Sequence, residues 1–322
     1  MHEDDAVRYR SEQLVWEESA NSFDPVYLAA KKSIDDQALN HHVWQTLCRN
    51  LPHSTGKEPA AVLEIGAGIG TMFERIIDWG LLRGSATYVA SDSDPDQLAA
   101  AGKYLSQWSK ERRHIFSWTG KHQARLDTAE AEVSLMLEAA RAEELAERPD
   151  LSAAFHLLIA HAVLDLFDFQ DMLLRLFSLL KDNGLAYLTC NFDGETIFLP
   201  ECDDDAEIIS RYHASMEKRL HGASWTGRRL LSFLQRPGIE LLAAGSSDWI
   251  IHPKNLTYSV DETLFLHAII ETVEAELNKE KAPFKGLADW ASRRRQQVKT
   301  GELSFLARHL DLLVRVKPSM LP

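Results

Sequence analysis

The ten residues Val62-Leu63-Glu64-Ile65-Gly66-Ala67-Gly68-Ile69-Gly70-Thr71 constrain this chain more than any others. An apolar run carrying one acid gives way to three glycines at alternate positions, and an amphipathic stretch, Met72 to Trp79, follows at once. The pattern reads as strand, tight loop and helix. Glycine lacks Cβ, takes φ above zero and lets a ligand lie against bare backbone, so such loops sit where a βα unit meets a small molecule.

The order of the glycines separates two cofactor classes. A dinucleotide loop needs G-x-G-x-x-G, whose third glycine packs helix against strand; here the glycines are 66, 68 and 70, and Thr71 holds the dinucleotide position. A second apolar run, Ala86 to Asp92, ends in an acid before the turn Ser93-Asp94-Pro95. An acid at that end of a βαβ unit accepts hydrogen bonds from ribose hydroxyls, and Asp94 is placed to cap the next helix.

The E-x-G-x-G-x-G form of Glu64 to Gly70, with Asp92 in its turn, resembles the first two motifs of the class I S-adenosylmethionine-dependent methyltransferases. The resemblance implies an α/β fold, a doubly wound, mostly parallel seven-stranded sheet in the order 3-2-1-4-5-7-6 with its last strand antiparallel. It also implies S-adenosyl-L-methionine as cofactor, held by Glu64, Gly66, Ala67, Gly68, Gly70, Asp92, Ser93 and His161. In that family a helical N-terminal segment often closes over the active site, which would make residues 1–58 a cap and 59–322 the catalytic domain. The catalytic domain would carry a helical insertion at about 203–235, whose Asp204 to His221 region would join the cap.

Along the rest of the chain, Ser33 with Asp35 and Asp36 looks like a helix start, and Trp16, Phe23, Tyr27 and Trp44 supply aromatic side chains to the leading helices. Arg113 to Trp118 is the expected third strand, and the Ala, Glu, Leu and Arg of Leu126 to Arg148 read as a solvated helix. Ala154 to Ala160 is a fourth strand, with His161 and Asp165 just beyond its carboxyl end. Ligands of open α/β sheets bind at that edge, so these two are the catalytic candidates. Lys181 to Gly184 reads as a helix C-cap and turn, Leu185 to Cys190 as a strand, and Asn191 as a polar group at the same edge. Trp249 and His252 suggest a pocket wall, to which Tyr27 also belongs. Leu303 to Val316 supplies the last strand.

Charge narrows the acceptor. The formal net charge is −13, which opposes the cationic contacts that dominate nucleic-acid affinity, and no D/N-P-P-Y/F motif follows the fourth strand. A small-molecule substrate is therefore expected, with no nucleic acid and no membrane partner, and a homodimer is compatible with the sequence. The three cysteines lack C-x-x-C spacing and the N-terminus is acidic, so a cytoplasmic protein without a metal is expected. Two alternatives stand beside methyl transfer to an O, N or C nucleophile: a non-catalytic scaffold that keeps the fold, and an NAD-dependent oxidoreductase.

Overall fold

Strand pairing sets the architecture and brings the functional residues to one edge. The computed structural model of the chain describes residues 24–52, 58–220, 222–281 and 284–321. The described residues begin with two helices, α1 (Pro25–Ala38) and α2 (His41–Asn50), followed by β1 (Ala60–Ile65) and α3 (Thr71–Asp78). β2 (Gly84–Asp92), α4 (Pro95–Glu111) and a meander of β3 (Ile115–Trp118), β4 (Gln123–Asp127) and β5 (Ala131–Ala139) come next. α5 (Ala142–Ala146), β6 (Phe155–His161), α6 (Phe169–Phe177) and β7 (Leu180–Leu199) continue the parallel sheet. The remainder comprises α7 (Asp205–Arg219), α8 (Thr226–Phe233), β8 (Ile239–Ser246), β9 (Trp249–Ile251), α9 (Val260–Asn278), α10 (Leu287–Thr300) and β10 (Ser304–Val316).

One ten-stranded sheet runs in the order β3-β4-β5-β2-β1-β6-β7-β10-β8, with β9 beside β10. β5, β2, β1, β6 and β7 pair in parallel, and β10 lies antiparallel between β7 and β8. Without the β3–β4 hairpin and β9, the remaining seven strands stand in the order 3-2-1-4-5-7-6. The expected strand count of seven is thus corrected to ten, while the fold class and the place of the last strand hold.

The main departure is β5. It falls inside the stretch expected to be a helix, Leu126 to Arg148, and it takes the sheet position expected for Arg113 to Trp118. Ala131, Val133, Leu135 and Leu137 are buried while Glu132 and Ser134 are exposed, an alternation of period two. Helix propensity is a weak prior, and burial against β2 overrides it. Two boundaries also shift. Lys181 to Gly184 lies within β7, and α6 ends earlier, capped by Ser178. Asp24, not Ser33, starts α1, its carboxylate accepting from the Val26 N–H at 2.6 Å. Asp35 and Asp36 are therefore interior to α1. Trp16 and Phe23 lie outside the described residues.

Three apolar clusters fill the molecule. One joins α2, α3 and α4 to one face of the sheet, a second joins α6 and α8 to the other, and a third joins α1, α7, α9 and α10 to β9 and the extended ends of β7 and β10. An ionic seam ties α1 to α3. Arg75 is fully buried; its Nε donates to Asp36 Oδ1 at 2.5 Å, and Lys32 Nζ lies 2.7 Å from Asp36 and 3.2 Å from Glu74. Removing one partner of a buried pair leaves an uncompensated charge. Asp36→Ala should therefore lower the unfolding free energy by about 3 kcal/mol in a urea titration; an unchanged midpoint would show that the seam contributes nothing.

Candidate functional site

The glycine loop leaves β1 in the left-handed region at alternate residues, with φ of +66° at Gly66, +52° at Gly68 and +85° at Gly70. A Cβ on Gly66 would stand 2.6 Å from Val163 Cγ2, so the position demands glycine for space as well as for φ. Asp92, at the carboxyl end of β2, receives the Gly68 N–H on Oδ2 at 2.8 Å and the Asp94 N–H on Oδ1 at 2.9 Å. A carboxylate offers about four lone-pair sites. Asp92 thus braces the loop and still has acceptor capacity for a ligand. Asp94 caps α4, as expected, accepting from the Asp96 N–H at 2.8 Å.

A cavity of about 870 Å³ opens at this edge. The loop, Asp92 and Ser93 line it, together with Tyr27, His161, Asp165 and Trp249. Glu64 also lines it and is 2% exposed. Burial pushes the Glu64 carboxyl up to about 8, against the opposing hydrogen bond from Tyr88 Oη at 2.7 Å and the charge of Arg75. Asp165 is likewise raised by burial, with its own backbone hydrogen bond and the Arg219 charge acting the other way.

The centre of the site is Asp35, a residue whose sequence context suggests only a helix start. Asp35 is 2% exposed. It accepts from Lys31 Nζ at 2.5 Å, from His161 Nε2 at 3.0 Å and from Trp249 Nε1 at 2.9 Å. Burial alone would raise its pKa, but the Lys31 ammonium and His161 more than offset this and hold it well below the usual carboxylate range. The available sequence signal was the face Ala30, Lys31, Ile34 and Asp35, which is buried along one side of α1. His161 spends both ring nitrogens here: Nδ1 lies 2.8 Å from Thr189 Oγ1. An ionised Asp35 requires the proton on Nε2 and leaves Nδ1 to accept from the threonine. Burial lowers the imidazole to about 4, with Asp35 pulling the other way, so the ring is neutral at pH 7.

Ligand atoms of Asp35, His161 and Cys190 all lie within 4.8 Å of one another, a spacing a metal ion could use. Lys31 already places a cation on Asp35. Cys190 itself adopts φ of +54°, held by Asp311, which accepts the Cys190 N–H at 2.8 Å, the Asn40 N–H at 2.8 Å and Ser247 Oγ at 2.6 Å. Two buried carboxylates thus bracket the point where β7 kinks past the cavity.

Three residues expected at the site do not line the cavity: Gly70, Asn191 and His252. Gly70 faces the core, where an added Cβ would stand 3.1 Å from Leu105 Cδ1. Asn191 is buried and turns inward, Nδ2 donating to the carbonyls of Leu188 at 3.0 Å and Leu310 at 2.9 Å. His252 is exposed, 3.4 Å from the Pro253 carbonyl.

No protein-family model matches the chain, and no curated protein matches it in sequence. Among solved structures, the YcgJ protein of Bacillus subtilis is 11% identical, with 86% of this chain and 99% of that one covered and a TM-score of 0.45. Phosphoethanolamine N-methyltransferase 2 of Haemonchus contortus, solved with S-adenosylhomocysteine, is 14% identical over 94% of this chain and 61% of its own, with a TM-score of 0.43. The plantazolicin methyltransferase BpumL is 12% identical over 98% and 91%, with a TM-score of 0.41. No helix among the described residues is long and apolar enough to cross a membrane.

Glu64 gives the site a pH signature. Its folded pKa, about 8, exceeds the ordinary 4.5, so this contribution to stability is fully present below about pH 4.5 and is lost as pH rises to about 8. Glu64→Gln should flatten the decline of Tm across that window. A decline as steep as in the wild type would show that Glu64 titrates normally.

Proposed function

We propose that the chain is an S-adenosyl-L-methionine-dependent methyltransferase acting on a small molecule. The observation that carries this reading is the joint placement of the left-handed glycine loop and Asp92 on one cavity. Spare acceptor positions on Asp92 suit a ribose diol, and Glu64 presents a carboxyl oxygen that can accept from the amino group of the cofactor. Asp92, Asp94 and Glu143 line the end of the cavity beside the glycine loop, carboxylates that oppose a pyrophosphate there. Thr71, where a dinucleotide loop has its third glycine, begins α3 directly.

Methyl transfer from a sulfonium needs alignment and exclusion of water more than covalent help, a contribution worth about 7 to 11 kcal/mol at most. The packing of α1, α7 and α9 over the extended ends of β7 and β10 supplies the enclosure and serves as the cap. His161 holds Asp35, and through it Lys31 and Trp249, in place. Asp165, with its raised carboxyl, is the general-base candidate for a protonated nucleophile. The net charge of −13 favours a small metabolite over a nucleic acid.

Titration calorimetry with S-adenosylmethionine, S-adenosylhomocysteine and NAD tests the cofactor. Both sulfur compounds should bind and NAD should not; no heat with either sulfur compound would sink the reading. Asp92→Ala should weaken S-adenosylhomocysteine by about 1.5 to 3 kcal/mol while the circular dichroism spectrum is unchanged. Once an acceptor is found by screening with labelled cofactor, Asp165→Asn should slow transfer by roughly 100- to 10,000-fold without altering cofactor affinity. An unchanged rate would remove Asp165 from the mechanism.

A further inference from the structure

His309 is a buried polar group of the cavity that the proposed chemistry has not used. It sits on β10, is 3% exposed and lines the cavity together with Ala307. Pairing between β7 and β10 shifts register between Ala307 and His309, the kind of irregularity that re-aims a side chain beside a site. Asp248 Oδ1 accepts the His309 backbone N–H at 3.1 Å and secures the strand there.

The ring's surroundings leave one polar atom for a ligand. Trp249 covers it at a centroid distance of 4.1 Å, and Phe192 packs edgewise at 5.6 Å. Nδ1 lies 3.0 Å from the Ala307 carbonyl. A carbonyl can only accept, so Nδ1 carries the proton and Nε2 presents a bare lone pair. Among the described residues Nε2 has no hydrogen-bond partner. Burial first, and the Lys31 charge second, lower this imidazole to about 4, so it stays neutral at physiological pH.

We infer that His309 Nε2 is the recognition point for the methyl acceptor, accepting a hydrogen bond from a neutral N–H or O–H carried on a planar, apolar body. The inference deepens the proposed function and rests on it for the word acceptor. The aromatic walls favour such a body: Tyr27, Phe192, Tyr212, Trp249 and Phe305 all line the cavity. A donor is required because Nε2 has no proton to give, and a cationic group is disfavoured because Lys31 Nζ already lies 4.8 Å from the Trp249 ring. The hydrogen bond to His309 orients the acceptor's body, and the proton of the reacting atom is left to Asp165.

The test uses the wild-type protein labelled with ¹⁵N, its histidine rings assigned through bonds from the backbone. The tautomer is read first: His309 should show a protonated Nδ1 and an unprotonated Nε2 at pH 7. Phenol is then added as a hydroxyl donor and anisole as the same ring without one, each with and without S-adenosylhomocysteine. Phenol should move the Nε2 resonance toward its hydrogen-bonded value, and anisole should leave it in place. The opposite tautomer, a charged ring, an equal response to both probes, or an Nε2 resonance unmoved at the highest soluble phenol concentration would each overturn the inference. Failure of S-adenosylhomocysteine to bind would instead overturn the proposed function, and the arms without it would still read His309.

Discussion

One buried carboxylate organises the cavity. Asp35 joins a helix from the start of the chain to the end of β6 through His161 and to β9 through Trp249. These contacts cross 126 and 214 residues of sequence, so each closes a long loop that only the finished fold can compensate. A carboxylate removed from water is tolerated only when it is paired and hydrogen-bonded, and here Lys31 provides the charge while the imidazole and indole provide the donors. Asp36, the next residue, performs the corresponding task for Arg75. Consecutive acids on α1 thus face two different buried cations, and the helix has one seat on the sheet edge that satisfies both.

That seating explains why the cavity has walls of such different origin. The glycine loop and Asp92 belong to the parallel half of the sheet, where the left-handed backbone at three glycines shapes the cavity floor. Tyr27 and Trp249 come from α1 and β9, held in place through their own apolar core and through Asp35. β7 and β10 connect the two regions because both run well past the sheet's carboxyl edge, and Asp311 fixes the kink at Cys190 where they do so.

The conformation of the glycine loop was legible in the sequence because its requirements are local. Three glycines in ten residues report three backbone conformations directly, and Asp92 with Asp94 reports a strand end and a helix cap. The sheet order was legible only through resemblance. β5 was not legible as a strand because its Ala, Glu and Leu content favours helix, and only its alternation, Ala131, Val133, Leu135 and Leu137, carried the opposite message. Asp35 and His309 were hidden for a different reason. Their roles come from partners far along the chain, and a buried charge on a helix face or a histidine on a late strand looks ordinary until those partners are in place. Asn191 and His252 show the converse: residues near a sheet edge in sequence can point into the core or out to solvent.

A crystal structure of the protein grown with S-adenosylhomocysteine tests the central claim most directly. The ribose hydroxyls should lie within hydrogen-bond distance of Asp92, with the ligand's amino group near Glu64 and its sulfur facing the space bounded by Asp165, Trp249 and His309. A nucleoside bound elsewhere, or one whose ribose makes no contact with Asp92, would contradict the assignment of this cavity as a methyl-transfer site.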